Sequence, residues 1–247
     1  MAVRFDAESE AYTATTGLPA GTVYTVTCWL WLAVDRDAKS AAWVLADTAT
    51  PDAATANTIL GTQANGTTLE LESFTAGAVG SALGVGAWHK VGVVINGATA
   101  QLYTAAAADA LVLTSTSSFT PPATNGGLWI GRSAWTGEWF NGRVASWKMW
   151  AAALTQGEIE TELATWVAAR TANLLRNHKF QTAETTDYSG NGNTLAGGTG
   201  ASTEADPPIT AMERAAPDAI LAQTGLTGAV TAIQDDPDSP DGSWLVA

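Results

Sequence analysis

Two glutamates one residue apart, Glu70 and Glu72 in TTLELESF, are the first residues whose types and spacing could do chemistry. On an extended strand, alternate side chains share a face, and residues two apart stand about 7 Å from each other along the chain. A retaining glycosidase needs two carboxyls about 5–5.5 Å apart, one as nucleophile and one as acid. The spacing therefore permits hydrolysis. No third acid follows, because the next residues are Ser73, Phe74 and Thr75. The competing reading is a half-exposed strand with a solvated acidic face. Metal chemistry has less to draw on. His89, His178 and the single cysteine, Cys28, are too few for a zinc site. Calcium takes carboxylates and carbonyls from separate loops. Asp35, Asp37, Asp47 and Asp52 could supply them, but no motif chooses among the four.

Near the C-terminus the chain reads IQDDPDSPDGSW, Ile233 to Trp244. An EF-hand loop needs D-x-[DN]-x-[DN]-G and a glutamate at its twelfth position. Counting from Asp236 puts Pro240 at the fifth position and Asp241 at the sixth; counting from Asp235 puts Pro237 at the third. Neither register binds calcium. Each proline holds the residue before it extended, so the stretch reads as a stiff, solvated connector. It leads to the apolar Trp244, Leu245 and Val246, which are expected to pair with a neighbouring subunit or to begin a further β-domain. A sugar contact has better material in SAWTGEWFNG. Trp135, Trp139 and Asn141 stand there in a loop opened by glycines, and an exposed indole can stack on a sugar ring. The alternative for Trp139 is packing beneath the strand that follows.

Most of residues 1–153 reads as β and would have to position these groups. In YTVTCWLWLAV, Tyr24, Val26, Cys28, Leu30 and Leu32 fall on one face, with Thr25, Thr27, Trp29 and Trp31 on the other. AAWVLAD, TTLELESF, HKVGVVIN, ATAQLYTA, GGLWIGR and GRVASWKMW read as further strands, and Asn96-Gly97 marks a hairpin. Many short strands between Gly, Pro, Asn and Asp clusters predict a sandwich or jelly roll. One helix is predicted from Gln156 to Arg170. Thr155 and Glu158 form a capping box, Leu154 and Ile159 a hydrophobic staple, and Ile159, Leu163, Trp166 and Val167 recur at helical spacing. ANLLRNHKF could return as a last strand. From Gln181 to the Pro207-Pro208 pair the composition turns rich in Gly, Ser, Thr and Asn, as in a long ordered loop or a linker.

Composition narrows the function. With 46% hydrophobic residues the chain has material for a substantial core. A net charge of −13 with only 11 Lys and Arg excludes nucleic acid and anionic membranes as expected partners. No stretch reaches the roughly 18 apolar residues of a membrane span. The N-terminus, MAVRFDAESEAYTATT, lacks the basic and apolar regions of a secretory signal. Cys28 sits in an apolar run, where a buried inert thiol is expected.

Three stretches resemble the concanavalin A-like, laminin-G-like jelly-roll superfamily: YTVTCWLWL, then AWHKVGVVINGATAQLY, then LWIGR continuing through EWFNGRVASWKMWAAALTQGEI. DYSGNGNTL (187–195) is similar to a glycine-rich loop common beside these domains. The resemblance implies an all-β concanavalin A-like jelly-roll sandwich over residues 1–200, with one short peripheral helix, and a linker and C-terminal extension over 201–247. It also implies the option of a structural calcium at the sandwich rim; no other cofactor is expected. Family members that hydrolyse glucans carry three acids, E-x-D-x-x-E, on one strand, and TLELES departs from that pattern. Residues 218–247 are similar to a segment of tailed-bacteriophage structural proteins. That resemblance implies a non-enzymatic virion component, a minor tail protein or a capsid decoration protein, made in the host cytoplasm. Its expected partners are other virion proteins and copies of itself, with host-surface glycans if it contributes to adhesion. The alternatives are a glycan-binding adhesion module and a glycan hydrolase of the same superfamily.

Overall fold

The computed structural model describes residues 2–7, 10–33, 39–49, 56–63, 65–73, 76–118, 125–133, 138–209, 233–235 and 244–246. In chain order the first strands are β1 (Ala2–Phe5), β2 (Tyr12–Ala14), β3 (Val23–Leu32), β4 (Ser40–Ala46), β5 (Ala56–Thr62), β6 (Thr68–Ser73) and β7 (Ala76–Ala82). They are followed by β8 (Trp88–Asn96), β9 (Thr99–Ala106), β10 (Val112–Ser118), β11 (Gly127–Ile130) and β12 (Gly142–Trp150). After helix α1 (Gln156–Leu163) come β13 (Leu174–His178), β14 (Ala196–Gly197), β15 (Ser202–Glu204), β16 (Ile233–Asp235) and β17 (Trp244–Val246).

Two antiparallel sheets face each other. One has the order β10-β9-β8-β3-β12-β1-β15, with β13 also paired to β12; the other runs β14-β2-β11-β4-β5-β6-β7. Alternation along each strand divides its side chains between core and outer face. Tyr24, Val26, Cys28, Leu30 and Leu32 of β3 enter the core, where they meet Trp43 and Leu45 of β4 and Leu69 and Leu71 of β6. Cys28 is fully buried, and burial pushes its thiol well above the usual range, so it is an inert core residue.

A second apolar cluster lies on the outer face of the eight-stranded sheet. Trp29, Val94, Tyr103 and Trp150 pack there under Leu154, Ile159, Leu163 and Trp166. Gly92 of β8 makes room for the helix, since a Cβ there would stand 2.6 Å from the Ile159 side chain. The capping box forms as expected, with Thr155 Oγ1 accepting from the Glu158 amide and the Glu158 carboxylate accepting from the Thr155 amide. The helix stops at Leu163 instead of continuing to Arg170. Lys148 Nζ, arriving from β12, donates to the carbonyls of Glu162 (2.5 Å) and Thr165 (2.6 Å). The Glu162 carboxylate accepts from the amides of Ala169 (3.0 Å) and Arg170 (2.6 Å), which holds the chain in a turn.

The Asn96-Gly97 signal is one residue out of phase with the hairpin. Asn96 pairs with Thr99, so the two-residue loop is Gly97-Ala98, with Gly97 at φ 61°. A first central residue at positive φ suits the right-handed twist of the flanking strands.

The first compact unit runs to Ala211, past the expected boundary at residue 200, and the second is Met212–Ala247. The boundary moves because β15 pairs with β1 and Ile209 packs on the helix-side cluster. In the second unit β16 and β17 pair antiparallel, Ile233 with Val246 and Asp235 with Trp244. The backbone of Trp244, Leu245 and Val246 therefore has a partner within the chain. Residues 236–243, which carry most of the acidic connector, lie outside the described residues.

Candidate functional site

The chain leaves β11 at Gly131, whose φ of 94° turns it away from the sheet; a Cβ there would enter the Phe5 ring. A short arm follows. Ser133 N donates to Glu138 O (2.7 Å), Phe140 N donates to Gly131 O (2.9 Å), and Arg132 and Trp139 face each other as an antiparallel bridge. Side chains directly opposite in such a pair emerge on the same side. The Arg132 guanidinium lies 4.3 Å over the Trp129 indole, so Trp129, Arg132 and Trp139 line one ledge, each of them half-buried. Phe140, not Trp139, fills the space beneath β12: it is fully buried and meets Phe5 edge-on with ring centroids 6.5 Å apart. Asn141 is half-buried, and its carbonyl accepts from Ala33 N (3.1 Å). Trp135 lies outside the described residues. Trp129 and Arg132 carry no local signal that marks them as surface residues. Their stacking follows from the turn at Gly131.

Glu70 and Glu72 project outward from β6 because Leu69 and Leu71 occupy its core side. Lys39 forms an ion pair with Glu72. Burial and then the adjacent Glu72 carboxylate push the Glu70 carboxyl up, against the opposing pull of Lys39 and Gln63. Glu72 stands within side-chain hydrogen-bonding reach of Glu70, so the carboxyls are neighbours, not groups flanking a scissile bond. The cross-strand row Thr13–Trp129–Val44–Ile59–Glu72 connects the acids to the indole ledge. Three strand spacings separate Trp129 from Glu72, about 14 Å. Val44 and Ile59 between them are buried, which leaves two separate polar patches.

The metal candidates do not converge. His89 Nε2 bonds Gly84 O at 2.7 Å. His178 is buried, with Nδ1 bonded to Thr186 O (2.9 Å) and Nε2 facing Arg176 Nη1 (3.3 Å). Asp47 is exposed; Asp35, Asp37 and Asp52 lie outside the described residues. Among the described residues no three His, Cys, Asp or Glu side chains gather as metal ligands would.

The DYSGNGN loop has a structural task. Asp187 Oδ1 accepts from Asn177 N (3.0 Å), and the Tyr188 amide donates to Asn177 O (2.7 Å). The Asn191 and Asn193 amides donate to the carbonyls of Leu174 (2.7 Å) and Leu175 (2.9 Å). The loop thus covers the free edge of β13. Burial alone would raise the Asp187 carboxyl. The bonds from Asn177, Ser189 and Asn193 outweigh it and hold the group below the usual range.

The model of the concanavalin A-like lectin/glucanases superfamily matches residues 5–160. A proposed carbohydrate-binding protein from Bacteroides ovatus has a similar structure, with TM-score 0.61 and 16% identity, over 85% of this chain and 61% of that one. The chain thus spans less than two thirds of that protein. The heptameric SAP-like pentraxin of Limulus polyphemus gives TM-score 0.54 and 14% identity, over 84% of this chain and 96% of that one. No curated protein matches by sequence. With two facing antiparallel sheets and a family match over residues 5–160, the chain belongs to the concanavalin A-like lectin/glucanases superfamily.

Proposed function

We propose that this chain is a non-enzymatic carbohydrate-binding module. The observation that carries the reading is the ledge of Trp129, Arg132 and Trp139 at the sandwich rim. An indole face stacks on the apolar side of a sugar ring, and the Arg132 guanidinium, lying over one face of Trp129, offers hydrogen bonds to the sugar's hydroxyls. The structural likeness to a proposed carbohydrate-binding protein supports the same class. Hydrolysis is disfavoured by the adjacency of Glu70 and Glu72 and by the lack of a third acid after Glu72. The proposed binding requires no cofactor. A glycan array of cell-wall and capsule sugars, followed by titration of any hit, tests the reading. Trp139→Ala is expected to weaken a hit by roughly tenfold or more while leaving the fold intact. No binding by the wild-type chain to any sugar would sink the reading. A turnover assay on the same sugars, with Glu70→Gln as control, is expected to detect no product.

A second reading concerns where the module is carried. The resemblance of residues 218–247 to tailed-phage structural proteins favours a virion component, on the tail or as a capsid decoration. If no sugar binds, a purely structural virion role is the reading that remains. Labelling the protein on purified particles and imaging them tests it: signal on neither tail nor capsid would overturn it.

A further inference from the structure

Under the turn that follows α1, the outer face of the eight-stranded sheet keeps three polar side chains out of water. They are Lys148, Asn177 and Glu162, at 0%, 0% and 1% exposure. Lys148 of β12 and Asn177 of β13 stand directly opposite each other in the antiparallel ladder. Such residues emerge on one face with their Cβ atoms about 5 Å apart, and a lysine side chain is long enough to reach the carbonyl carbon opposite. Trp150 and Leu174 of the same two strands join Leu163, Trp166 and Ala168 in the apolar cluster on this face.

The three polar groups converge on one short stretch of backbone. Lys148 Nζ, bonded to the carbonyls of Glu162 and Thr165, also donates to Thr165 Oγ1 (3.2 Å) and stands 3.5 Å from the Glu162 carboxylate. The Asn177 amide, oriented as its neighbours require, donates from Nδ2 to Trp166 O (3.3 Å), the next carbonyl along the chain. Its Oδ1 accepts from Ala168 N (3.2 Å). The backbone that presents Lys148 is irregular: the pairing with β3 breaks between Ala145 and Lys148, and Ser146 within the break has φ 46°. Non-glycine residues held in this region cluster at functional sites. An ion pair would need only Lys148 and Glu162. It does not call for a buried carboxamide directly opposite the lysine, with its carbonyl oxygen held by a backbone N–H.

We propose that Lys148 and Asn177 join in an isopeptide bond, formed within the folded chain with Glu162 as proton carrier. The Glu162 carboxylate takes a proton from Nζ, which removes two buried charges at once. The Nζ lone pair then attacks Asn177 Cγ. Negative charge builds on Oδ1, where the Ala168 N–H already points. The Cγ–Nδ2 bond breaks and ammonia leaves. Of the three Nζ protons, one stays in the new amide and one reaches Nδ2 by way of Glu162. The third rests on the Glu162 carboxyl until ammonia carries it out as ammonium. No oxidant or cofactor enters the balance. Among the described residues β13 pairs with β12 alone. The bond therefore fixes a strand that branches from the sheet and closes a covalent ring around α1.

Intact-mass spectrometry of the denatured full chain tests this independently of glycan binding. The wild type is expected to weigh less than its sequence by one ammonia, and proteolysis is expected to release a branched peptide joining Lys148 to Asn177. Lys148→Arg and Glu162→Gln are each expected to keep the full sequence mass. A wild-type chain at full sequence mass overturns the proposal, and this measurement decides whether or not a variant folds. So does a deficit that survives Lys148→Arg, or one that proteolysis places elsewhere, such as ring closure at Asn191-Gly192.

Discussion

His178 shows how one buried residue sets the acid tolerance of the fold. Its Nδ1–H donates to the Thr186 carbonyl, so Nε2 is left to accept from Arg176, whose Nε and Nη1 also donate to the carbonyls of Gly17 (3.2 Å) and Asn193 (2.6 Å). Burial, reinforced by the Arg176 charge, lowers the imidazole to about 4 despite the bond to Thr186. An unfolded histidine titrates near 6.5. Between about 6.5 and about 4 the unfolded chain binds a proton that the folded chain refuses, so stability falls as pH falls through this window. The shift corresponds to a loss on the order of 3 kcal/mol. Asp187 acts in the same direction: the stability from its lowered carboxyl is lost as pH falls through its folded value. His178→Gln can keep both hydrogen bonds without titrating. Urea unfolding of this variant from pH 7 to 4 is expected to show a flatter decline than the wild type, and an equally steep one would contradict the assignment. Arg176, two residues before His178 on the same strand face, was its neighbour already in the sequence; Thr186 and Asp187 reach it only when the loop after β13 folds back. Glu70 and Glu72 were legible as an outward-facing pair, but the Lys39 partner was not, since a different strand of the sheet brings it in.

At the scale of elements, α1 began where its capping signals placed it and ended early. Capping is local: Thr155 and Glu158 are three residues apart and find each other in any chain that turns helical there. The stop is not local. Apolar spacing ran on through Trp166 and Val167, but those side chains reach the sheet and the solvent from a turn held by Glu162 and Lys148. Both are almost fully buried, at 1% and 0% exposure, and they approach to 3.5 Å. Removing one member of a buried pair strands the other charge, at a cost of about 3–5 kcal/mol. Glu162→Ala should therefore destabilise the protein by that order and loosen residues 164–170 first, which hydrogen exchange can read. A variant that keeps wild-type stability would show that the turn is held by packing alone. The strands were more legible than the helix end. Alternation in YTVTCWLWL separated the core side chains of β3 from Trp29, which packs under the helix.

At the scale of the whole molecule, the family resemblance implied a boundary at residue 200, whereas the first compact unit runs on to Ala211. Ser202–Glu204 adds a strand to β1, and Glu204 stands between Arg4 and Arg143, which face each other across β1 and β12. Like charges directly opposite destabilise a sheet pair, so this carboxylate matters beyond its own strand. A chain ending at Gly200 is expected to melt several degrees below one ending at Ala211, as a loss of about 1 kcal/mol would give; equal melting temperatures would show β15 to be dispensable. The amino-acid sequence by itself determined the all-β class, the two faces of β3, β6 and β8, the start of the helix and the outward placement of the acids. All of these follow from side-chain period and local capping, which act over a few residues. Only the tertiary structure decided that Arg132 lies on Trp129, that Phe140 rather than Trp139 enters the core, and that Asp187 closes a strand edge. Those outcomes depend on which distant strands become neighbours, and neither period nor composition encodes that order.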